Sequence, residues 1–240
     1  GLAAIIPFFY FSLVGALTRR FKIAWAGIII LISGQGFLGW YMVQSGLINN
    51  PHVSHFRLAA HLSLALVLFC LILWLLLRKT QPIKAPGPSN ATIWGIGTLG
   101  VVAFQIIYGA FNAGLHGGFY YNTYPKMGSE WLPQSIFLMN SLSQNLFFNP
   151  VMIQFIHRWL AVFCVIGCLG CWWMVKNTSH AFLKKIGVAL LIVIGCQFIL
   201  GVATLLSVVW IPLASAHQVG SVALLATLVA YIYYSRPVAH

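Results

Sequence analysis

Six stretches of this chain, near residues 24–45, 57–77, 93–113, 152–175, 186–208 and 212–234, are each predominantly apolar and about the 20 residues that a helix needs to cross a bilayer core. A polymer with this pattern cannot hide its apolar surface around one small interior. Hydrophobic residues make up 60% of the chain and charged residues 6%, against about 25% charged in ordinary soluble domains. The expected fold class is therefore an all-α, polytopic membrane protein. A seventh apolar run, Leu2 to Leu17, is short for a span and lacks the basic flank and small-residue cleavage site of a signal peptide. It reads as the tail of a helix that begins upstream of Gly1.

Charge sets the orientation. Thirteen Lys and Arg face one acid, Glu130, so the net charge of +12 has no internal counterpart and must meet lipid phosphate, water or an anionic ligand. The cations do not gather on one polar face, which excludes a nucleic-acid surface. Arg19, Arg20 and Lys22, then Arg78, Lys79 and Lys84, then Lys176, Lys184 and Lys185, and finally Arg236 fall in alternate connections. All four groups belong on the cytoplasmic or matrix side. The long connection from about Gly114 to Asn149, with Gly117-Gly118, Pro125 and Pro133, then lies outside, and its length marks it as functional rather than a passive link.

The same topology places His61, His157 and His217 at one depth, each near the start of a span that descends from the outer side. His52, His55, His116 and His180 fall in connections and His240 ends the chain, where a solvated imidazole is the ordinary expectation. Cys70, Cys164, Cys168, Cys171 and Cys196 all lie in apolar runs. Cys164, Cys168 and Cys171 share one helix face, but thiols there behave as small hydrophobes, and neither a disulfide framework nor a metal site is expected.

The chain also repeats itself. Gln35 to Gly39 and Gln197 to Gly201 share Q-x-x-x-G, and each is followed by a span carrying a histidine, in L-A-A-H (Leu58 to His61) and L-A-S-A-H (Leu213 to His217). The Gln-to-His interval is 26 residues in the first and 20 in the second, a difference that fits the longer N-N-P-H-V-S-H-F connection. Q-x-x-x-G recurs at Gln105 to Gly109, where it reads as weak and compatible with simple close packing at glycine. His157 precedes Gln197 by 40 residues, whereas only 34 precede Gln35. The repeat thus predicts that the first-half counterpart of His157 lies a little upstream of Gly1.

Two histidines on facing helices at one depth form the arrangement that holds a haem iron axially. Arg158 beside His157, and Arg57 one turn before His61, would supply cations for the haem carboxylates. Each histidine alone also fits an interhelical hydrogen bond, and each arginine fits snorkelling to lipid headgroups.

Longer pieces carry a resemblance. G-W-Y-M-V-Q-S-G-L (Gly39 to Leu47), S-H-F-R-L-A-A-H-L (Ser54 to Leu62), N-A-G-L-H-G-G-F-Y-Y-N-T-Y-P-K-M-G (Asn112 to Gly128), F-F-N-P-V-M-I-Q-F-I-H-R (Phe147 to Arg158) and L-A-S-A-H-Q-V-G-S-V-A-L-L (Leu213 to Leu225) resemble the haem A synthases of mitochondrial and proteobacterial type, from Gly1 to about Tyr234. The resemblance implies two pseudo-symmetric four-helix bundles, with the first helix and the start of the second missing. An incomplete N-terminal bundle, residues 1–85, would take the substrate haem o. A C-terminal bundle, residues 86–240, would hold haem b between His157 and His217. The implied reaction oxidises the C8 methyl group of haem o to a formyl group, giving haem a, with His61 as a ligand on the substrate side.

The resemblance also implies that the catalytic acid lies upstream of Gly1. Ile156 and His116 stand where relatives often carry acids, and no cysteine pair lies between Gly114 and Asn149. The implied setting is a bacterial cytoplasmic or mitochondrial inner membrane. The implied partners are lipid, a haem o synthase and an electron donor, with room for a homo-oligomer. The rival readings are a di-haem electron-transfer subunit of cytochrome b type and a transporter with histidine-lined sites.

Overall fold

The computed structural model describes residues 1–44, 53–80 and 90–236, and helices dominate them. Among the described residues eight α-helices follow in order: α1 (Leu2–Leu13), α2 (Arg19–Gln44), α3 (His55–Thr80), α4 (Ala91–Gly114), α5 (Leu142–Phe148), α6 (Pro150–Val175), α7 (Ala181–Leu206) and α8 (Ile211–Ser235). Six of them, α2, α3, α4, α6, α7 and α8, are long and apolar enough to cross a membrane. The chain is an all-α polytopic membrane protein, as its apolar runs predict. The observed spans reach further into their basic flanks than the apolar runs do, most clearly at α7. It starts at Ala181 and takes in Lys184 and Lys185, because long cationic side chains are good helix formers that can carry their charge outward. At the other end α1 stops at Leu13 rather than running to Leu17, and Gly15 adopts φ 72 in the turn that follows.

The chain divides into two compact units, residues 1–72 and 73–240. The boundary expected at residues 85 and 86 lies outside the described residues, as do His52, Lys84 and His240. In the first unit the Trp25 indole N–H donates to the Ala4 carbonyl at 3.0 Å, and Lys22 Nζ donates to the Ser12 carbonyl at 3.3 Å. These contacts tie α1 to α2.

In the second unit α4, α6, α7 and α8 close into a ring, α4 and α7 each touching both α6 and α8. Hydrocarbon offers these helices no hydrophobic drive to associate, so close packing at small residues and buried hydrogen bonds must hold them. Both are present. Trp94 lies across Gly167 and Gly170, and its indole N–H donates to the Gly167 carbonyl at 2.9 Å. Tyr231 packs on Gly95 and donates its hydroxyl hydrogen to the Cys171 carbonyl at 2.8 Å. Cys164, Cys168 and Cys171 are all buried in this interior. Large residues such as Ile93, Ile199 and Val219 stay 68–71% exposed, which suits a lipid-facing surface.

The long connection between α4 and α6 folds into a cap on α6. Short 3₁₀ turns at Gly117–Phe119 and Gln134–Phe137 lead into α5, and Met127 and Ile136 are buried against Val151 and Met152. Asn149 organises the junction. Its side-chain oxygen accepts from the Val151 and Met152 amides, capping α6, while its amide nitrogen donates to the Ser135 and Ile136 carbonyls and to Asn145 Oδ1.

Two histidines expected to be solvated have structural places instead. His55 is buried as the first residue of α3, its ring centre 4.1 Å from that of Phe56. His180 caps α7, its Nδ1 accepting from the Leu183 amide at 3.2 Å. In both cases the helix begins earlier than hydropathy indicates, so a residue assigned to a connection becomes part of a helix end.

Because Asn149 satisfies two helix-end amides and three loop groups at once, Asn149→Ala should cost about 2–4 kcal/mol of stability. A thermal melt of the detergent-solubilised protein that is unchanged by the substitution would remove Asn149 from this role.

Candidate functional site

The three histidines occupy equivalent places. His61 is the seventh residue of α3, His157 the eighth of α6 and His217 the seventh of α8. Each sits within about two turns of the helix start, and each ring is laid against a glycine of a neighbouring helix. A methyl group added at Gly39 would stand 3.0 Å from His61 Cε1, one at Gly109 3.0 Å from His157 Cε1, and one at Gly201 2.9 Å from His217 Cε1. The glycine is in every case the last residue of a Q-x-x-x-G. The copy at Gln105, weak as a sequence signal, is therefore the same device as the other two.

The glutamines complete the contact. His157 Nδ1 lies 3.2 Å from the Gln105 main-chain oxygen and His217 Nδ1 lies 3.2 Å from that of Gln197. A carbonyl can only accept, so both imidazoles carry their hydrogen on Nδ1 and keep the Nε2 lone pair. The Gln197 amide donates to the His217 carbonyl at 2.7 Å, and the Gln35 amide donates to the His61 carbonyl at 3.0 Å. The Gln105 and Gln35 amide nitrogens also approach the Nε2 of their histidines, each at 3.3 Å. His61 differs in one respect, for its Nδ1 is buried without a partner among the described residues.

His157 and His217 face one another inside the second unit, with ring centres 6.5 Å apart and planes at 87°. An ion held between two imidazoles sets their ring centres about 6.2 Å apart, given metal–nitrogen bonds of about 2.0 Å and about 1.1 Å from each nitrogen to its ring centre. The pair fits axial ligation of a haem iron in spacing, in the tautomer fixed at Nδ1 and in donor type.

The two arginines are engaged with backbone. Arg158 donates through Nη1 to the Thr123 and Lys126 carbonyls and through Nη2 to the Tyr121 carbonyl, while its Nε is buried without a partner among the described residues. Gln154, one turn earlier on α6 and fully buried, donates to the same Tyr121 carbonyl at 3.1 Å. The long loop is thus hung on the helix that carries His157. Arg57 donates to the Tyr41 carbonyl at 2.8 Å, and its guanidinium lies 3.7 Å from the centre of the Tyr41 ring.

Residues 1–229 match the family described as cytochrome oxidase assembly protein, COX15-CtaA. The chain belongs to that family. It is 38% identical over 242 residues to the Heme A synthase of Rhodospirillum centenum, covering 99% of this chain and 64% of that protein. It is 40% identical to Heme A synthase COX15 of Bos taurus, covering 94% of this chain and 57% of that protein, and 39% identical to the human Heme A synthase COX15, covering 94% and 58%. The chain therefore spans roughly three fifths of the length of these curated relatives. No solved structure matches.

The three histidines were singled out from the sequence, but the loop anchors Gln154 and Asn149 emerge from the fold, and so does the use of Gly109 as a seat. A sequence signal for Gly109 did exist in its Q-x-x-x-G. The interval to His157 hid it, because the cap is inserted between glutamine and histidine.

Since one guanidinium holds three loop carbonyls, Arg158→Lys should free the segment from Tyr121 to Lys126. Trypsin should then cut after Lys126 several times faster than in the wild type, and an equal rate would show that the loop is held by other contacts.

Proposed function

We propose that the complete protein is a haem A synthase, a membrane oxidoreductase that converts the C8 methyl group of haem o into the formyl group of haem a. The observation that carries this reading is the His157–His217 pair, 6.5 Å apart with both Nδ1 atoms turned to carbonyls. The names of the relatives support the substrate class.

Within this reading the second unit holds a resident haem b through His157 and His217. Haem b, when bound, supplies an iron that takes up and passes on single electrons. The residues do the rest. The Gln105 and Gln197 carbonyls hold the imidazoles in one tautomer and one orientation. Arg158, whose Nε–H has no partner among the described residues, would be the cation for a haem carboxylate, while its other donors hold the cap to α6.

In the first unit His61 binds the iron of haem o and so fixes where the methyl group lies. Arg57, one turn toward the helix start, is the matching cation. Methyl to formyl is a four-electron oxidation, reached by two hydroxylations and loss of water. It requires an electron-transfer partner and a haem o synthase upstream. With the four basic groups on the inner side, all three histidines lie in the outer half of the membrane, whether bacterial cytoplasmic or mitochondrial inner.

His157→Ala and His217→Ala in the full-length protein should each abolish the haem b absorbance of the purified enzyme, and cells carrying either should accumulate haem o and lose haem a. Full haem b absorbance in both variants would sink the ligand assignment. An unchanged haem inventory in cells despite loss of haem b would point to an electron-transfer subunit instead.

A further inference from the structure

We propose that the Q-x-x-x-G segments are histidine-positioning devices, complete at Gln105–Gly109 and Gln197–Gly201 and incomplete at Gln35–Gly39. The consequence is that iron is held firmly by His157 and His217 and exchangeably by His61. This rests on the reading of the three histidines as axial ligands.

The spacing of four has a geometric cause. In an α-helix the carbonyl of residue i points at the amide of residue i+4, so its oxygen lies beside the α-carbon of that residue. An imidazole laid flat on residue i+4 therefore finds a carbonyl oxygen with a second lone pair free. Only glycine leaves room for the ring, as the 2.9–3.0 Å approach to a methyl group at Gly39, Gly109 or Gly201 shows. The glutamine side chain, on the same face, reaches back to the histidine's own helix, to the main-chain carbonyl of His61 and of His217. Carbonyl and seat together fix where Nε2 points.

The copies differ at Nδ1. His157 and His217 each have their carbonyl at 3.2 Å, and a hydrogen bond there both locks the ring and raises the basicity of the ligating nitrogen. His61 has the seat but not the bond, its Nδ1 being buried with no partner among the described residues. Such outer hydrogen bonds are worth about 10–100-fold in metal affinity. A resident cofactor needs them, whereas a haem that enters as substrate and leaves as product is better served without.

The test uses full-length protein in detergent, loaded with haem b and haem o. Low-spin signals are followed by electron paramagnetic resonance, and haem release by transfer to a scavenging apo-globin. Gly109→Ala and Gly201→Ala should release haem b about 10-fold faster and disturb its low-spin signal. Gly100→Ala and Gly195→Ala, on the same two helices but with open space at the new methyl, should match wild type. In the wild type, extracted pigment should show haem o lost about 10-fold faster than haem b.

Wild-type release and spectra in both Gly109→Ala and Gly201→Ala, or equal release of the two haems, would overturn the proposal. If the alanine variants do not fold, the comparison of the two haems in the wild type decides alone, and equal release of haem o and haem b would overturn the proposal. The ligand reading fails separately, through retention of haem b in His157→Ala and His217→Ala.

Discussion

An imidazole inside hydrocarbon must have both nitrogens accounted for, because an unmatched donor or acceptor there costs on the order of 1–3 kcal/mol or more. The architecture around His157 and His217 follows from that requirement. A glycine admits the ring, a helix carbonyl takes the Nδ1 hydrogen, and a glutamine bonds across to the histidine's own helix at His217. The helices must then run close together at this level, and the ring of α4, α6, α7 and α8 closes with the two imidazoles facing inward. Nε2 is the nitrogen that remains for chemistry.

The cap on α6 answers to the same constraint. Its backbone carbonyls at Tyr121, Thr123 and Lys126 turn inward to Arg158 and Gln154, and those at Ser135 and Ile136 to Asn149. All three anchors stand on or at the start of α6. The helix that presents His157 thus also sets the position of the loop above it, and disturbance of one is transmitted to the other through fixed hydrogen bonds rather than through flexible chain.

Much of this was legible beforehand. The six spans, the shared face of Cys164, Cys168 and Cys171 and the family itself follow from hydropathy, helical periodicity and long matching segments. Other features were not. His55 and His180 were misplaced because hydropathy marks where the membrane begins and not where the helix does. Gln105–Gly109 was undervalued because its partner lies beyond the inserted cap. The roles of Asn149 and Gln154 depend on carbonyls far along the chain, which no local pattern announces.

The sequence by itself determined that this chain lives in a membrane, that it is built of helices, and which histidines stand apart from the rest. Those properties are sums over residues taken one at a time or at fixed spacing along a helix. Only the tertiary structure decided that His157 and His217 face each other at 6.5 Å, that three glycines are seats for three rings, and that Nδ1 of His61 goes without the carbonyl its two counterparts have. Those are relations between atoms on different helices, and they exist only once close packing has chosen which faces meet.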